Sequence, residues 1–284
     1  MNDLRPSDLQ TAGLPVVGLF DTHCHVHEAV RRTTPVYDKW HDKGDVDADT
    51  IVAEARTAGV QYLMCVGTTL ADSELAIEFV TDKPDLYASI GIHPHEAHEH
   101  VTAKAQARFA ALATDTNVVA IGECGLDYYY DHSPKEEQIR ILEFQLELAQ
   151  KHNLPVIFHV RNAFDDFWPI YERFKGVRGV LHSFTDSEAH MARAVANGLF
   201  IGVNGIATFT KDTKQLAMYR AIPLQKLLLE TDAPFLTPTP YRGKICEPKY
   251  VVVTAEFVAK LRGETLAQVT AATTTNAQGL FGTK

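Results

Sequence analysis

Apolar and polar positions alternate along this chain in a repeating two-part order. Short apolar runs bounded by Gly, Pro or Asp fall at 16–22, 61–67, 87–93, 118–124, 155–161, 179–184, 200–204 and 226–232, and read as eight strands. Between them, at 51–58, 74–81, 103–113, 136–152, 163–174, 188–197 and 211–220, apolar residues follow the period of an amphipathic helix. A helical C-terminal region follows from 251 to 280. Strict alternation of strand and helix specifies parallel βα units. Eight such units predict an α/β fold, a (β/α)8 TIM-type barrel with extra C-terminal helices. The longest stretch with neither pattern, 28–49, follows the first strand and is expected to cover the barrel mouth.

Length and composition agree with that architecture. The chain has 284 residues, 45% of them hydrophobic, and α/β barrels commonly use about 250 residues for one domain. A single domain over 1–284 is expected, with 1–15 as a polar N-terminal extension. No Gly-x-Gly-x-x-Gly follows the first strand, which argues against a dinucleotide-binding sheet. The first apolar run is too short for a signal sequence or a membrane span, so a cytoplasmic protein without membrane association is expected. Cys24, Cys65, Cys124 and Cys246 lie far apart with no Cys-x-x-Cys pair, which predicts buried free thiols. A net charge of -9 argues against a broad basic surface able to coat duplex DNA. Any nucleic acid must then be captured locally, by a metal site or a few cations.

The chemistry gathers at the strand ends. In an extended strand, residues i and i+2 share a face, so His23 and His25 in Asp21-Thr22-His23-Cys24-His25 point together while Cys24 points away. The fourth run ends in Ile121-Gly122-Glu123, the fifth in Ile157-Phe158-His159, the sixth in Val180-Leu181-His182 and the eighth in Leu229-Glu230-Thr231-Asp232. Each apolar run thus stops at a side chain able to bind metal. Burying such a group is costly unless it is paired or metal-bound, and active sites of this fold lie at the C-terminal strand ends. Imidazoles mixed with carboxylates suit Zn, Mn, Fe, Ni or Co, and a shared carboxylate can hold two ions about 3.5–4 Å apart. Such a pair activates water and polarises a phosphoryl or carbonyl oxygen, the requirements of hydrolysis.

With these motifs assembled, the chain resembles the TatD family of metal-dependent deoxyribonucleases, within the amidohydrolase superfamily. The matching pieces are Asp21-Thr22-His23-Cys24-His25, Gly91-Ile92-His93-Pro94-His95, Gly122-Glu123-Cys124-Gly125-Leu126-Asp127-Tyr128, His159-Val160-Arg161-Asn162-Ala163, His182-Ser183-Phe184-Thr185, Glu230-Thr231-Asp232-Ala233-Pro234, and Arg242-Gly243-Lys244 before Glu247-Pro248. The resemblance implies His23 and His25 on one ion, His159 and His182 on the other, Glu123 bridging, and Asp232 as ligand and general base. It implies two divalent ions as cofactors, drawn from Zn, Mn, Mg, Fe, Ni or Co, and DNA, single-stranded or at strand ends, as partner. Four positions depart from the family pattern: Val26-His27 stands where Leu-Asp is common, Cys246 where Asn is, and Asp186 where Gly is. None removes a ligand.

Other residues carry a functional and a structural reading together. Arg161, two residues beyond His159, can fork onto a phosphate or close a salt bridge. His93 is a substrate contact by the resemblance, or a loop histidine. His95, His98 and His100 lack the i, i+4 spacing of a zinc-binding helix, and His98 and His100 read as solvated. Tyr128, Tyr129 and Tyr130 can stack on a base or pack the barrel rim. Asp45, Asp47 and Asp49 imitate a calcium loop, but Thr50 occupies the position that needs Gly, leaving an acidic loop and a helix cap. Glu230 reads as a group that orders its neighbours. The expected activity is metal-dependent cleavage of DNA phosphodiester bonds. Two alternatives use the same residues: a D-aminoacyl-tRNA deacylase or other ester or amide hydrolase, with tRNA as partner, and a noncatalytic metal-dependent binding protein.

Overall fold

The computed structural model describes residues 18–32, 34–130 and 132–283. The polar extension 1–15 and the start of the first apolar run lie outside them. Eight strands form one sheet in the order β1-β2-β3-β4-β5-β6-β7-β8: β1 Leu19–Cys24, β2 Val60–Val66, β3 Leu86–Ile90, β4 Val118–Asp127, β5 Val156–Arg161, β6 Gly179–Leu181, β7 Phe200–Val203 and β8 Leu227–Leu229. Helices alternate with them: α1 Pro35–Trp40, α2 Ala48–Thr57, α3 Leu70–Val80, α4 Ala103–Leu112, α5 Lys135–His152, α6 Phe164–Tyr171, α7 Glu188–Ala196, α8 Thr213–Ala221, α9 Val251–Arg262 and α10 Leu266–Phe281. Sequential order with alternating helices is the (β/α)8 fold.

The chain divides into two compact units, one through Leu63 joined by Val203–Ala277, the other Met64–Gly202 with the residues from Gln278. In the first, Leu227, Leu228 and Leu229 of β8 are fully buried, as the apolar run required. Here β8 continues beside β1: Thr22 Oγ1 donates to the Leu229 carbonyl at 3.0 Å, and Cys24 and Ala233 form a parallel bridge. In the second unit β3 to β7 pair in parallel. Val156, Ile157 and Phe158 of β5 are buried, and Phe158 meets Phe167 of α6 edge-on at 5.2 Å.

Helix starts follow local chemistry. Thr69, Thr102, Ser187 and Asp212 cap α3, α4, α7 and α8 by accepting from first-turn amides. Asp47 does so for α2, accepting from the Thr50 amide at 2.9 Å and its hydroxyl at 2.6 Å, so the acidic run is a cap. Two expectations need correction. The stretch 28–49 is not patternless: it contains the end of a 3-10 turn, Val26–Val30, and α1, which Thr34 caps and Pro35 begins. The runs expected to end at 184 and 232 leave strand geometry at Leu181 and Leu229, and Ser183 (φ 47°) and Asp232 (φ 62°) within the expected runs adopt left-handed backbone, which a strand cannot contain. All four cysteines are buried and unbridged. No helix of the described residues is long and apolar enough to cross a membrane.

Candidate functional site

In the first unit, the end of β1 and the segment after β8 are laced together around His23, His25 and Asp232. Asp21, fully buried, accepts from the Thr231 amide at 2.9 Å and its hydroxyl at 2.6 Å. Burial pushes its carboxyl pKa well up, against the lowering effect of those bonds. The Asp232 amide donates to the His23 carbonyl and the His25 amide to the Ala233 carbonyl, both at 2.8 Å. Trp40, fully buried in α1, donates from Nε1 to the His25 carbonyl at 2.9 Å. These bonds fix the backbone, and the side chains follow: Oδ1 of Asp232 lies 3.7 Å from Nε2 of His23 and 3.5 Å from Nε2 of His25. The imidazole rings stand edge-on at 5.1 Å. Glu230 accepts from Asn204 Nδ2 at 3.5 Å, consistent with an ordering role.

In the second unit, Glu123 is the meeting point. Its Oε1 lies 2.8 Å from Nδ1 of His159, 3.6 Å from Nε2 of His93 and 3.7 Å from Nε2 of His182. His93, Glu123 and His159 can converge on one ion. The approach depends on glycine. A Cβ at Gly91 would sit 2.3 Å from the Glu123 amide, and one at Gly125, whose φ is 155°, would sit 1.8 Å from the His159 carbonyl. The His93 amide donates to the Thr68 carbonyl at 2.8 Å and the His182 amide to the Phe158 carbonyl at 2.9 Å, placing both rings at strand ends.

The separations test whether these residues fit metal. Contacts of 3.5–3.7 Å between imidazole nitrogen and carboxylate oxygen are long for hydrogen bonds. Two donors each about 2.1 Å from a common ion in tetrahedral array stand roughly 3.4 Å apart. The donor set therefore fits divalent metal in kind, and in spacing around Asp232 and between Glu123 and His182, while His159 is hydrogen-bonded to Glu123 at 2.8 Å.

Asp127, which sequence reading passed over as a functional group, is the hub behind His159. Fully buried, its Oδ2 accepts from Nε2 of His159 and Nε2 of His95, each at 3.0 Å. Burial opposes its charge, but these imidazoles outweigh that and hold its carboxyl below the usual range. Burial likewise opposes a charged His159; the bonds to Asp127 and Glu123 prevail and raise its pKa to about 9. His93 goes the other way, because burial depresses it well below the ordinary value. Its Nδ1 accepts from the His95 amide at 3.2 Å, so Nε2 carries the proton toward Glu123. A signal for Asp127 existed: it stands four residues after Glu123 on one strand. His98 is exposed as expected; His100 is not, being buried with Nδ1 donating to the Glu96 carbonyl at 2.9 Å.

Arg161 lies at the end of β5, exposed, with its guanidinium carbon 4.2 Å from the Tyr129 ring centre and 4.7 Å from that of Tyr130. Tyr128 instead donates its hydroxyl to Asp166 at 2.9 Å.

Comparison with known proteins places the chain in a family. The model described as TatD related DNase matches residues 20–282. The chain is 35% identical over 265 residues to the uncharacterized metal-dependent hydrolase YabD of Bacillus subtilis, covering 93% of this chain and 98% of that one. It is 36% identical over 243 residues to the 3'-5' ssDNA/RNA exonuclease TatD of Escherichia coli, covering 83% and 93%. Among solved structures, the TatD homologue YjjV of Escherichia coli superposes with a TM-score of 0.84 at 27% identity, covering 95% of this chain and all of that one. The chain belongs to the TatD-related family of metal-dependent hydrolases.

Proposed function

We propose that this protein is a deoxyribonuclease that hydrolyses phosphodiester bonds in single-stranded DNA or at strand ends, using two divalent ions. The observation that carries the reading is the spacing of imidazole nitrogens from carboxylate oxygens, 3.5–3.7 Å at Asp232 and 3.7 Å between Glu123 and His182, which matches ligands of a shared ion, with His159 held against Glu123 at 2.8 Å. In this reading His23 and His25 serve one ion, His159 and His182 the other, Glu123 bridges them, and Asp232 is both ligand and proton acceptor. The ions, when bound, lower the pKa of water and stabilise charge on the phosphoryl oxygens.

The chain's own groups complete the site. Asp232 presents an acidic oxygen to both imidazoles of the β1 end, within reach of a proton released there. His93, neutral and donating from Nε2, is placed to steady a phosphate oxygen, and Arg161 to hold the neighbouring phosphate. The substrate class is supported by relatives named as 3'-5' ssDNA/RNA exonucleases. One family model spanning 20–282 supports a single barrel domain, and the absence of a membrane-crossing helix among the described residues is consistent with a cytoplasmic enzyme.

The decisive assay sets end-labelled single-stranded DNA beside D-aminoacyl-tRNA, with protein loaded in turn with Zn, Mn, Mg, Fe, Ni or Co and its metal content measured. Shortening of the DNA, abolished by chelation and restored by metal, is expected. Deacylation of the tRNA with intact DNA would overturn the nuclease reading.

A further inference from the structure

Four large apolar side chains are exposed among the described residues, and two are neighbours, Tyr129 at 57% and Tyr130 at 49%. They follow β4 after one intervening residue, Tyr128. Their amides both donate to Oδ1 of Asp127, at 2.9 and 3.1 Å, so the turn that carries the rings is pinned by a buried carboxylate. The rings stand at 88° with centres 4.8 Å apart, and Tyr130 also lies near-parallel to His132 at 6.0 Å. Tyr130 also meets His95 edge-on at 5.5 Å, so the rings are partly packed and about half open to solvent.

Arg161 completes the feature. Its guanidinium lies against both rings and, among the described residues, meets no carboxylate, so its charge is available to an anion. It stands two residues past His159 on β5, opposite Asp127 in the β4–β5 register. The other oxygen of Asp127 accepts from Nε2 of His159. One buried carboxylate thus ties the aromatic turn and a metal-facing imidazole to the same point.

We propose that Tyr129, Tyr130 and Arg161 form a docking platform for single-stranded nucleic acid, the rings stacking on unpaired bases and the guanidinium holding a backbone phosphate, in register with the hydrolytic site through Asp127. This rests on the reading of that site as a nuclease. Aromatic faces can stack only on bases that a duplex does not hide, and an arginine beside them supplies the phosphate contact that stacking lacks. The net charge of -9 leaves no need for a broad basic track, since the contact is local.

The test is binding of a fluorescein-labelled, phosphorothioate-linked dT oligomer, which resists hydrolysis, to the metal-loaded protein by fluorescence anisotropy. Tyr129→Ala and Tyr130→Ala should each weaken binding about tenfold, as loss of one stacked base does, while Tyr129→Phe and Tyr130→Phe bind as the parent. An oligomer of the same length with abasic sites should bind weakly to the parent and be insensitive to both alanine changes. Arg161→Gln should lower the salt dependence by about one charge. On a cleavable oligomer, KM should rise in the alanine variants more than kcat falls. Equal binding by parent and alanine variants, or the same loss on the abasic oligomer, overturns the platform while leaving the nuclease reading in place. A parent protein that neither binds nor cleaves the oligomer overturns both.

Discussion

Asp127 and His159 are joined by a 3.0 Å hydrogen bond on the side of the ring opposite Glu123, which faces Nδ1 at 2.8 Å. An imidazole gripped by a carboxylate behind it has its tautomer and tilt set, and becomes a better metal ligand in front.

Replacing Asp127 by Asn should therefore weaken metal binding at His159 about 10–100-fold without removing a ligand. Calorimetric titration of the chelator-treated variant with Zn or Mn measures this directly. An unchanged affinity would reduce Asp127 to a structural brace for the turn.

The same pair sets a pH dependence. His159, normally near 6.5, is raised to about 9 in the folded protein. A raised histidine stabilises the fold in its protonated form, fully below about 6.5, and the contribution disappears as pH climbs through about 9. Metal-free protein should accordingly lose thermal stability over that window. A metal on Nδ1 must displace the proton, so apparent affinity should rise by up to about tenfold per pH unit between 6.5 and 9. Flat metal affinity across the window would mean that His159 does not give up a proton on binding.

Glu123→Gln keeps size and shape but removes the charge to which three imidazoles turn. Metal stoichiometry by elemental analysis should fall along with DNA cleavage. Retention of two ions with turnover alone lost would reassign Glu123 to proton transfer.

Asp232→Asn leaves an oxygen near His23 and His25 but removes the proton acceptor. Positioned proton transfer contributes about 10²–10⁴-fold to rate, so kcat should drop by that factor while most of the metal stays bound. A variant within about threefold of the parent at equal metal content would place the base elsewhere, with His93 next to test.

Gly125→Ala examines the close approach of β4 to β5. The added methyl would fall 1.8 Å from the His159 carbonyl oxygen, a clash only backbone movement can relieve. A loss of about 3 kcal/mol or more in chemical denaturation is expected. Gly243→Ala is the control: its φ is 87° but nothing lies within 4 Å, so about 1–2 kcal/mol should be lost. Equal losses would show that backbone conformation, not crowding, explains Gly125.

Much of this was legible in the residues because the fold writes its chemistry at strand ends. An apolar run stopping at one metal-capable residue singled out Glu123, His159, His182 and Asp232 as candidates, and the alternation in His23-Cys24-His25 put two imidazoles on one face. What was not legible depends on partners distant in sequence. Asp21 meets Thr231 across 210 positions, and Asp127 meets His95 and His159 across 32 each. The spacing from Glu123 puts Asp127 on the same strand face, but no local pattern names the partners that such a carboxylate meets. His100 was misread for the same reason, since its burial comes from packing rather than from its neighbours in the chain. In 28–49, by contrast, Thr34 followed by Pro35 was a helix start in plain view, obscured by the surrounding charges.

The lacing of β1 to the segment after β8 places a constraint on biosynthesis. Asp21 emerges from the ribosome 210 residues before Thr231, the group that satisfies it. At about 5–20 residues per second this is a wait of roughly 10–40 s, during which His23 and His25 lack Asp232. A nascent chain cannot bring these three groups together early, so in the proposed reading a metal there binds only after residue 232 has been made, and chains broken off before it are born unable to assemble the set.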